Sequence, residues 1–444
     1  MRINGKRLEA NIMELAKFGM NGHGGIDRSF GSKADEQARE WLVKKAGALG
    51  AEVRIDAVSN IWMTAEPAVL SGGADTEEDS CNTGFLPITV GSHHDAVPDG
   101  GKYDGAMGVL LGLEVLETLK ENKAALRHPF QVVSFTAEEP NLFNISTMGS
   151  RGVTGKLDKA LLLKAKNSGT EEKLTEAIAR TGGNIGELEA SQLTGAVMAA
   201  FIECHIEQGR NLYDRGLSTA VVSTITGIYR ELICVNGEPN HAGTTVMEHR
   251  HDALLAAAEA ALALEKVIAG FDRKDVVGTV GKMDIYPNSA NIIPGKAEFI
   301  LEVRMPDSGI KRQIVNMLDR EFAQIEEKRG VKFERKVILD QAEAPMDERV
   351  MNALAREIAC EQGAMDKDAD SSGGMYSLKG APLLVSMAGH DAVHMSGITK
   401  TGMLFVRSID GKSHCAAEAT DIKDMETAGN VLLKTILALD KELT

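Results

Sequence analysis

Residues 91–108, GSHHDAVPDGGKYDGAMG, put two histidines and three aspartates into one glycine-rich run. Polar tips of the same kind follow other apolar runs. Glu138 and Glu139 close FQVVSFTAEE, His205 sits in VMAAFIECHIEQG, and His414 ends GMLFVRSIDGKSH. His93, His205 and His414 offer imidazole nitrogens, and Asp104, Glu138 and Glu139 offer carboxylate oxygens, with no thiolate beside them. That donor chemistry suits zinc or manganese, and cobalt or nickel are compatible. The carboxylate count suggests two ions sharing one carboxylate. A single histidine at a strand end is more often structural or solvated than a ligand. It is the recurrence of such groups on four strand ends that points to a metal centre.

The elements that must position these groups alternate. Residues 34–49 carry apolar positions at helical spacing, 86–93 read as a strand, and 104–122 read as a helix that Asp104 opens. Residues 130–139, 197–209 and 402–414 each run from an apolar strand into polar residues. Strand, polar tip and helix in repetition predict an α/β sheet covered by helices, with the chemistry beyond the carboxyl ends of the strands. The middle of the chain differs. GIYRELICVNG, the helix 248–269, VVGTVGKMDIYP, KAEFILEVRM, the helix 308–329 and VKFERKVIL give a β-α-β-β-α-β order, an α+β unit of its own. We therefore expect a discontinuous catalytic domain, 1–215 with 342–444, and an inserted domain, 216–341. The polar segment 68–84 reads as a surface loop.

At 444 residues, two domains are expected. A net charge of −15 argues against a nucleic-acid partner. The five cysteines form no C-x-x-C pair, which fits a reducing compartment and speaks against a cysteine zinc site. No run of 18 apolar residues would span a membrane, and the first helix lacks a secretory core, so a cytoplasmic protein is expected. HIE lacks the P-C-x-x-C of a nucleobase deaminase, no H-E-x-x-H is present, and GGKYDGAMG matches neither phosphate-loop pattern.

Taken together and in order, GSHHDAVPDGGKYDGAMG, FTAEEP, HIEQG, NHAGTT, NSANIIPG and AGHDA with GKSH resemble the di-metal amidohydrolases related to aminoacylases and carboxypeptidase G. The likeness is greatest to their N-carbamoyl-amino-acid hydrolase, allantoate amidohydrolase and ureidopropionase branch. The resemblance implies a mixed-sheet di-metal catalytic domain with an inserted dimerisation and lid domain. His93 and His205 would bind one metal, Glu139 and His414 the other, and Asp104 both. Asp95 would accept the other ring N–H of His93, and Glu138 would be general base and acid towards metal-activated water. His241 would stabilise the oxyanion. Gln208, Asn291, Arg304 and the Gly389 backbone would hold the substrate. The implied partners are a ureido or carbamoyl acid and a second subunit, with His241 and Asn291 supplied across a homodimer interface. An N-acyl-amino-acid amidase or dipeptidase is the alternative; peptidase relatives are expected to carry an acid at His205, which counts against it. More distant is a non-catalytic binding protein. The chain departs from the EEGSRF of many relatives: Pro140 stands for Gly and Leu142 for Arg.

Overall fold

The computed structural model describes residues 1–72, 84–363 and 376–443. Four strands lie side by side and parallel at the centre of a large sheet. In spatial order they are Phe130–Phe135, Ile88–His93, Ala200–Ile206 and Thr401–Val406. All four run towards the same rim, so their polar tips emerge together there. Ile61–Ala65 pairs antiparallel with the first of them and Thr219–Ile225 antiparallel with the last, which makes the sheet mixed.

Alternate residues of these strands go to opposite faces. Val90, Val132, Ile202 and Leu404 enter one core beneath helices Gly5–Ala16, Ala106–Glu121, Glu348–Gln362 and Ile422–Glu442. Val133, Phe135, Phe201 and Phe405 enter another core on the opposite face. With both faces covered, the strands read as unbroken apolar runs rather than alternating ones. The strand at 130 stops at Phe135, short of the glutamates. Thr136 gives its N–H to Asn60 Oδ1 at 2.8 Å, and the chain turns at Ala137, where φ is 53°.

The second sheet is antiparallel, in the order Lys332–Gln341, Gly227–Asn236, Lys296–Met305 and Val277–Tyr286. Helices Ala253–Ala269 and Ser308–Arg329 close a separate core on one face, with Ile233, Val235, Phe299, Leu301, Leu318 and Phe322. Burial along Gly227–Asn236 alternates strictly, as a sheet with one covered face requires. The first of these helices begins at Ala253, not at 248. Asp252 caps it by accepting the N–H groups of Leu254 and Leu255, and Met247–His249 is a separate turn. The expected start of the insertion at 216 precedes Thr219–Ile225, which pairs within the large sheet; the chain crosses to the small one at Thr226–Gly227. The segment at 68–84 opens in the helix Pro67–Ser71, and its residues 73–83, Cys81 among them, lie outside the described residues. No helix among the described residues is long and apolar enough to cross a membrane.

Helix Ala106–Glu121 presses on the central strands through a glycine. A Cβ at Gly108 would lie 2.0 Å from the Cys204 carbonyl oxygen, a backbone atom that cannot swing aside. Gly108→Ala should therefore cost about 1–3 kcal/mol, the overpacking range. Urea unfolding measures it; an unchanged midpoint would contradict this packing.

Candidate metal centre

Asp104 is buried, and its two oxygens face different partners. Oδ1 lies 3.1 Å from His205 Nε2 and 3.5 Å from His93 Nε2, while Oδ2 lies 3.5 Å from His414 Nε2. His414 Nε2 is in turn 3.2 Å from Glu139 Oε1. Among the described residues the donor atoms of His93, Asp104 and His205 cluster within 4.8 Å of one another, as do those of Asp104, Glu139 and His414 and those of His93, Glu138 and Glu139. The expectation that Asp104 caps its helix is corrected. The helix starts at Ala106 with Gly105 at the cap, because the Asp104 carboxylate is turned to the histidines instead. Gly105 has φ 58°, and a Cβ there would stand 2.3 Å from His93 Nε2, so glycine is required beside the imidazole.

The backbone fixes which nitrogens point inward. His205 Nδ1 lies 2.9 Å from the Ile206 carbonyl and His93 Nδ1 lies 3.1 Å from the Asp95 carbonyl. Both carbonyls can only accept, so each ring donates its Nδ1–H and turns its Nε2 to Asp104. A bare nitrogen lone pair against a carboxylate oxygen is repulsive. His205 Nε2 also accepts the Gly105 N–H at 3.1 Å, and a proton or a metal cation between the imidazoles and the Asp104 oxygens relieves the remaining repulsion. Burial would lower the His93 and His205 pKa values, but Asp104 outweighs it and holds both above the ordinary imidazole range. Burial would raise Asp104, yet His205 and His93 hold it well below the carboxylate range. Glu139 raises His414 to about 9. The donor types, their two-sided distribution about Asp104 and the fixed tautomers fit a pair of divalent cations.

Asp95 meets the expected ring nitrogen of His93 and does a second job as well. Its backbone carbonyl hydrogen-bonds His93, and its carboxylate, 3.5 Å from the same nitrogen, accepts the N–H groups of Glu138 at 3.3 Å and Glu139 at 3.1 Å. That clamp, with the turn at Ala137, brings both adjacent glutamates to the rim although a continuing strand would have sent them apart. Glu138 Oε2 comes 3.8 Å from His93 Nε2. Burial raises Glu138 well above the carboxylate range, with Glu139 and Asp391 adding to it against the pull of His93. Gln208 donates to Asp104 Oδ2 at 2.7 Å, and Ser413 does so at 2.6 Å. Gln208 and His414 both hold left-handed backbone, φ 58° and 56°, a strain typical of functional positions.

A cavity of about 580 Å³ opens over this centre. Gly389, Arg304 and Gln208 line it, as do His390 and His394. Arg304 donates to Glu302 at 2.9 Å and to the Met387 carbonyl at 2.7 Å. His241 and Asn291 are exposed and do not line the cavity. His241 Nδ1 accepts the Gly243 N–H at 3.0 Å, which leaves Nε2–H as an outward donor. Pro140 borders the cavity, whereas Leu142 is 51% exposed and away from it.

Other residues here were not anticipated. Glu418 accepts the N–H groups of Tyr103 at 2.8 Å and Asp104 at 3.0 Å and so holds the Asp104 loop. Arg230 lines the cavity and pairs with Glu302. His94 is bound to Asp35 at 2.9 Å and Ser134 at 2.7 Å, and its carbonyl accepts from buried Arg28 at 2.7 Å, bracing the loop from behind. The place of Glu418 in HCAAE, four residues after His414, was the one available signal.

Two donor sets hinged on one aspartate, at the rim of a mixed α/β sheet, define a metal-dependent hydrolase. The chain belongs to peptidase family M20/M25/M40, whose profile matches residues 89–438. It is 31% identical over 438 residues to the N-carbamoyl-L-amino acid amidohydrolase of Geobacillus stearothermophilus, covering 98% of this chain and 99% of that one. It is 31% identical over 428 residues to the allantoate amidohydrolase of Bacillus subtilis, covering 96% and 95%. A solved amidase of the hydantoinase/carbamoylase family from Burkholderia multivorans superposes with a TM-score of 0.83 at 29% identity, over 100% of this chain and 99% of that one.

Because the imidazoles hold protons against the carboxylates, cations must displace them. His414, at about 9, is charged at pH 7, so uptake of zinc or manganese there should release protons, and affinity should fall as pH falls. Calorimetry in buffers of different ionisation enthalpy tests this; a buffer-independent heat would contradict it.

Proposed function

We propose that the protein hydrolyses a linear ureido C–N bond, in an N-carbamoyl amino acid or a related ureido acid such as allantoate. The observation that carries the reading is the division of the Asp104 oxygens between two donor sets, with the Glu138 carboxyl beside them and outside the clamp that holds Glu139 to His414. The names of the relatives narrow a general amidohydrolase to this substrate class.

His93 and His205 would hold one divalent cation, Glu139 and His414 the other, and Asp104 both. Zinc, manganese, cobalt and nickel all suit these donors. When bound, the cations polarise the ureido carbonyl and lower the pKa of water towards ~7. Glu138 takes the proton of the attacking water and delivers it to the leaving nitrogen. Its pKa, raised by burial, brings it towards neutral pH, where a carboxyl can serve as base and then as acid. Asp95 keeps Glu138 in place through the backbone. Arg304 receives the substrate carboxylate with its planar fork, exchanging its hold on Glu302 for that of the ligand. Gln208 and the Gly389 backbone complete the polar contacts. A carbamoyl substrate would yield the amino acid, ammonia and carbon dioxide.

Residues 227–341 act, on this reading, as a lid and dimerisation domain. The face of the small sheet that carries Arg230 and Arg304 borders the cavity, so a hinge at Thr226 and residues 342–343 would close it and exclude water. The outward Nε2–H of His241, with Asn291, would serve the centre of a second subunit and stabilise the oxyanion there.

Glu138→Gln should lower kcat by about 10²–10⁴-fold, the range for a lost general acid–base. Metal content by elemental analysis should be unchanged. Wild-type protein should prefer carbamoyl or allantoate substrates over acetyl-amino acids and dipeptides. Near-normal turnover by the variant would exclude Glu138 as the proton carrier, and a dipeptide preference would overturn the substrate class.

A further inference from the structure

Two guanidiniums reach the cavity from the small sheet, and both are already spoken for in part. Arg304 and Arg230 share the Glu302 carboxylate, and Arg304 also binds the Met387 carbonyl. A third, Arg151, comes from the helix Met148–Val153 on the large-sheet side and lines the same cavity. Its surroundings are unlike those of the other two. Its one side-chain hydrogen bond among the described residues goes from Nη1 to the Ser146 carbonyl at 3.3 Å, and no described carboxylate pairs with it. The group is half-buried, and burial alone lowers its pKa, with no anion raising it. Four of its five N–H donors therefore lack a protein acceptor, in a chain whose net charge is −15 and whose exposed arginines commonly carry a carboxylate.

The wall around it is built, not loose. Thr147 holds left-handed backbone, φ 46°, a costly conformation for a β-branched residue. It is kept there by its N–H bond to the Glu138 carbonyl at 2.9 Å and by His394 Nε2 on its hydroxyl at 3.1 Å. His394 is pushed down to about 3, by burial first and then by Lys156 and Arg151, so the ring stays neutral beside two cations. Its Nδ1 is shut from solvent and has no partner. This edge of the cavity thus presents fixed positive charge, next to the carboxyl proposed to move the proton.

We propose that Arg151 is a specificity-determining residue that receives a second anionic group, so that the preferred substrates are ureido acids whose side chain carries its own carboxylate. The inference rests on the function proposed above, in which Arg304 takes the carboxylate common to every ureido acid. A neutral side chain would leave the Arg151 guanidinium desolvated and unpaired, which costs binding energy. A side-chain carboxylate satisfies it with charge-assisted, bidentate bonds. The discrimination is one that a site built for a hydrogen-bonding group exerts and an apolar wall cannot.

The test uses metal-loaded wild type, Arg151→Gln and Arg151→Lys, matched for melting temperature. The substrates are the carbamoyl derivatives of aspartate and glutamate and of their isosteric amides, asparagine and glutamine. Wild type should show the higher kcat/KM for the acids, and Arg151→Gln should lower the acid-to-amide ratio on the order of 10- to 100-fold. Arg151→Lys, which keeps a point charge but not the fork, should retain part of the ratio. Calorimetric binding of free aspartate and glutamate should weaken in parallel, a readout independent of turnover. A ratio unmoved by Arg151→Gln, or equal losses on acids and amides, would overturn the inference and leave the hydrolase reading intact. If wild type turns over none of the ureido acids, the function itself fails, and the inference with it.

Discussion

One carboxylate organises this molecule. Asp104 is buried against the inward nitrogens of two imidazoles on one oxygen and faces a third on the other. Such a cluster cannot be neutral in the sense a hydrophobic core is neutral. Positive charge between nitrogen and oxygen, a proton or a cation, stabilises it, beside the Gly105 N–H that His205 Nε2 accepts. What surrounds Asp104 reads as the means of keeping those atoms in place. Glu418 ties the loop by its N–H groups, Gly105 clears room for His93, and the Ile206 and Asp95 carbonyls fix the ring tautomers.

The sheet explains why such distant residues meet. Four neighbouring parallel strands deliver His93, the glutamate pair, His205 and, after a short loop, His414 to one rim. Burial of both sheet faces makes that rim rigid, and the tight seat of helix Ala106–Glu121 on Cys204 locks the Asp104 segment to the strand that bears His205. The small sheet is a separately packed body whose uncovered face turns arginines towards the same rim. Packed donors on one side and an arginine-bearing face on the other suit a site that holds metals and receives an anionic substrate.

Much of this was legible in the sequence because it depends on strand ends. A ligand at the tip of an apolar strand announces itself by a change of residue type, and the elements read from the sequence fall within a few residues of their observed bounds. Ile61–Ala65, Thr219–Ile225, Ala381–Ser386 and the helices Glu348–Gln362 and Ile422–Glu442 went unread. Hidden were the contacts made through backbone atoms and across the chain. The Asp95 carbonyl bonds His93 alongside its carboxylate, and the turn at Ala137 brings Glu138 and Glu139 to one side; both depend on local torsions that side-chain patterns do not encode. Asp104 looked like a helix cap because an acid before a helix usually is one, and here electrostatics with the histidines won. Arg151 and Arg230 were invisible for a simpler reason: nothing in a sequence separates a solvated arginine from one that faces a cavity. Leu142, singled out as a departure from the family motif, proved to be exposed, while Pro140 does border the cavity.

The most direct test of the account is anomalous diffraction from crystals of the protein grown with manganese or zinc. Two peaks should appear, one on each side of the Asp104 carboxylate, the first against His93 and His205 and the second against Glu139 and His414. A lone peak, or a pair that leaves Asp104 uncoordinated, would contradict the claim that this aspartate is shared.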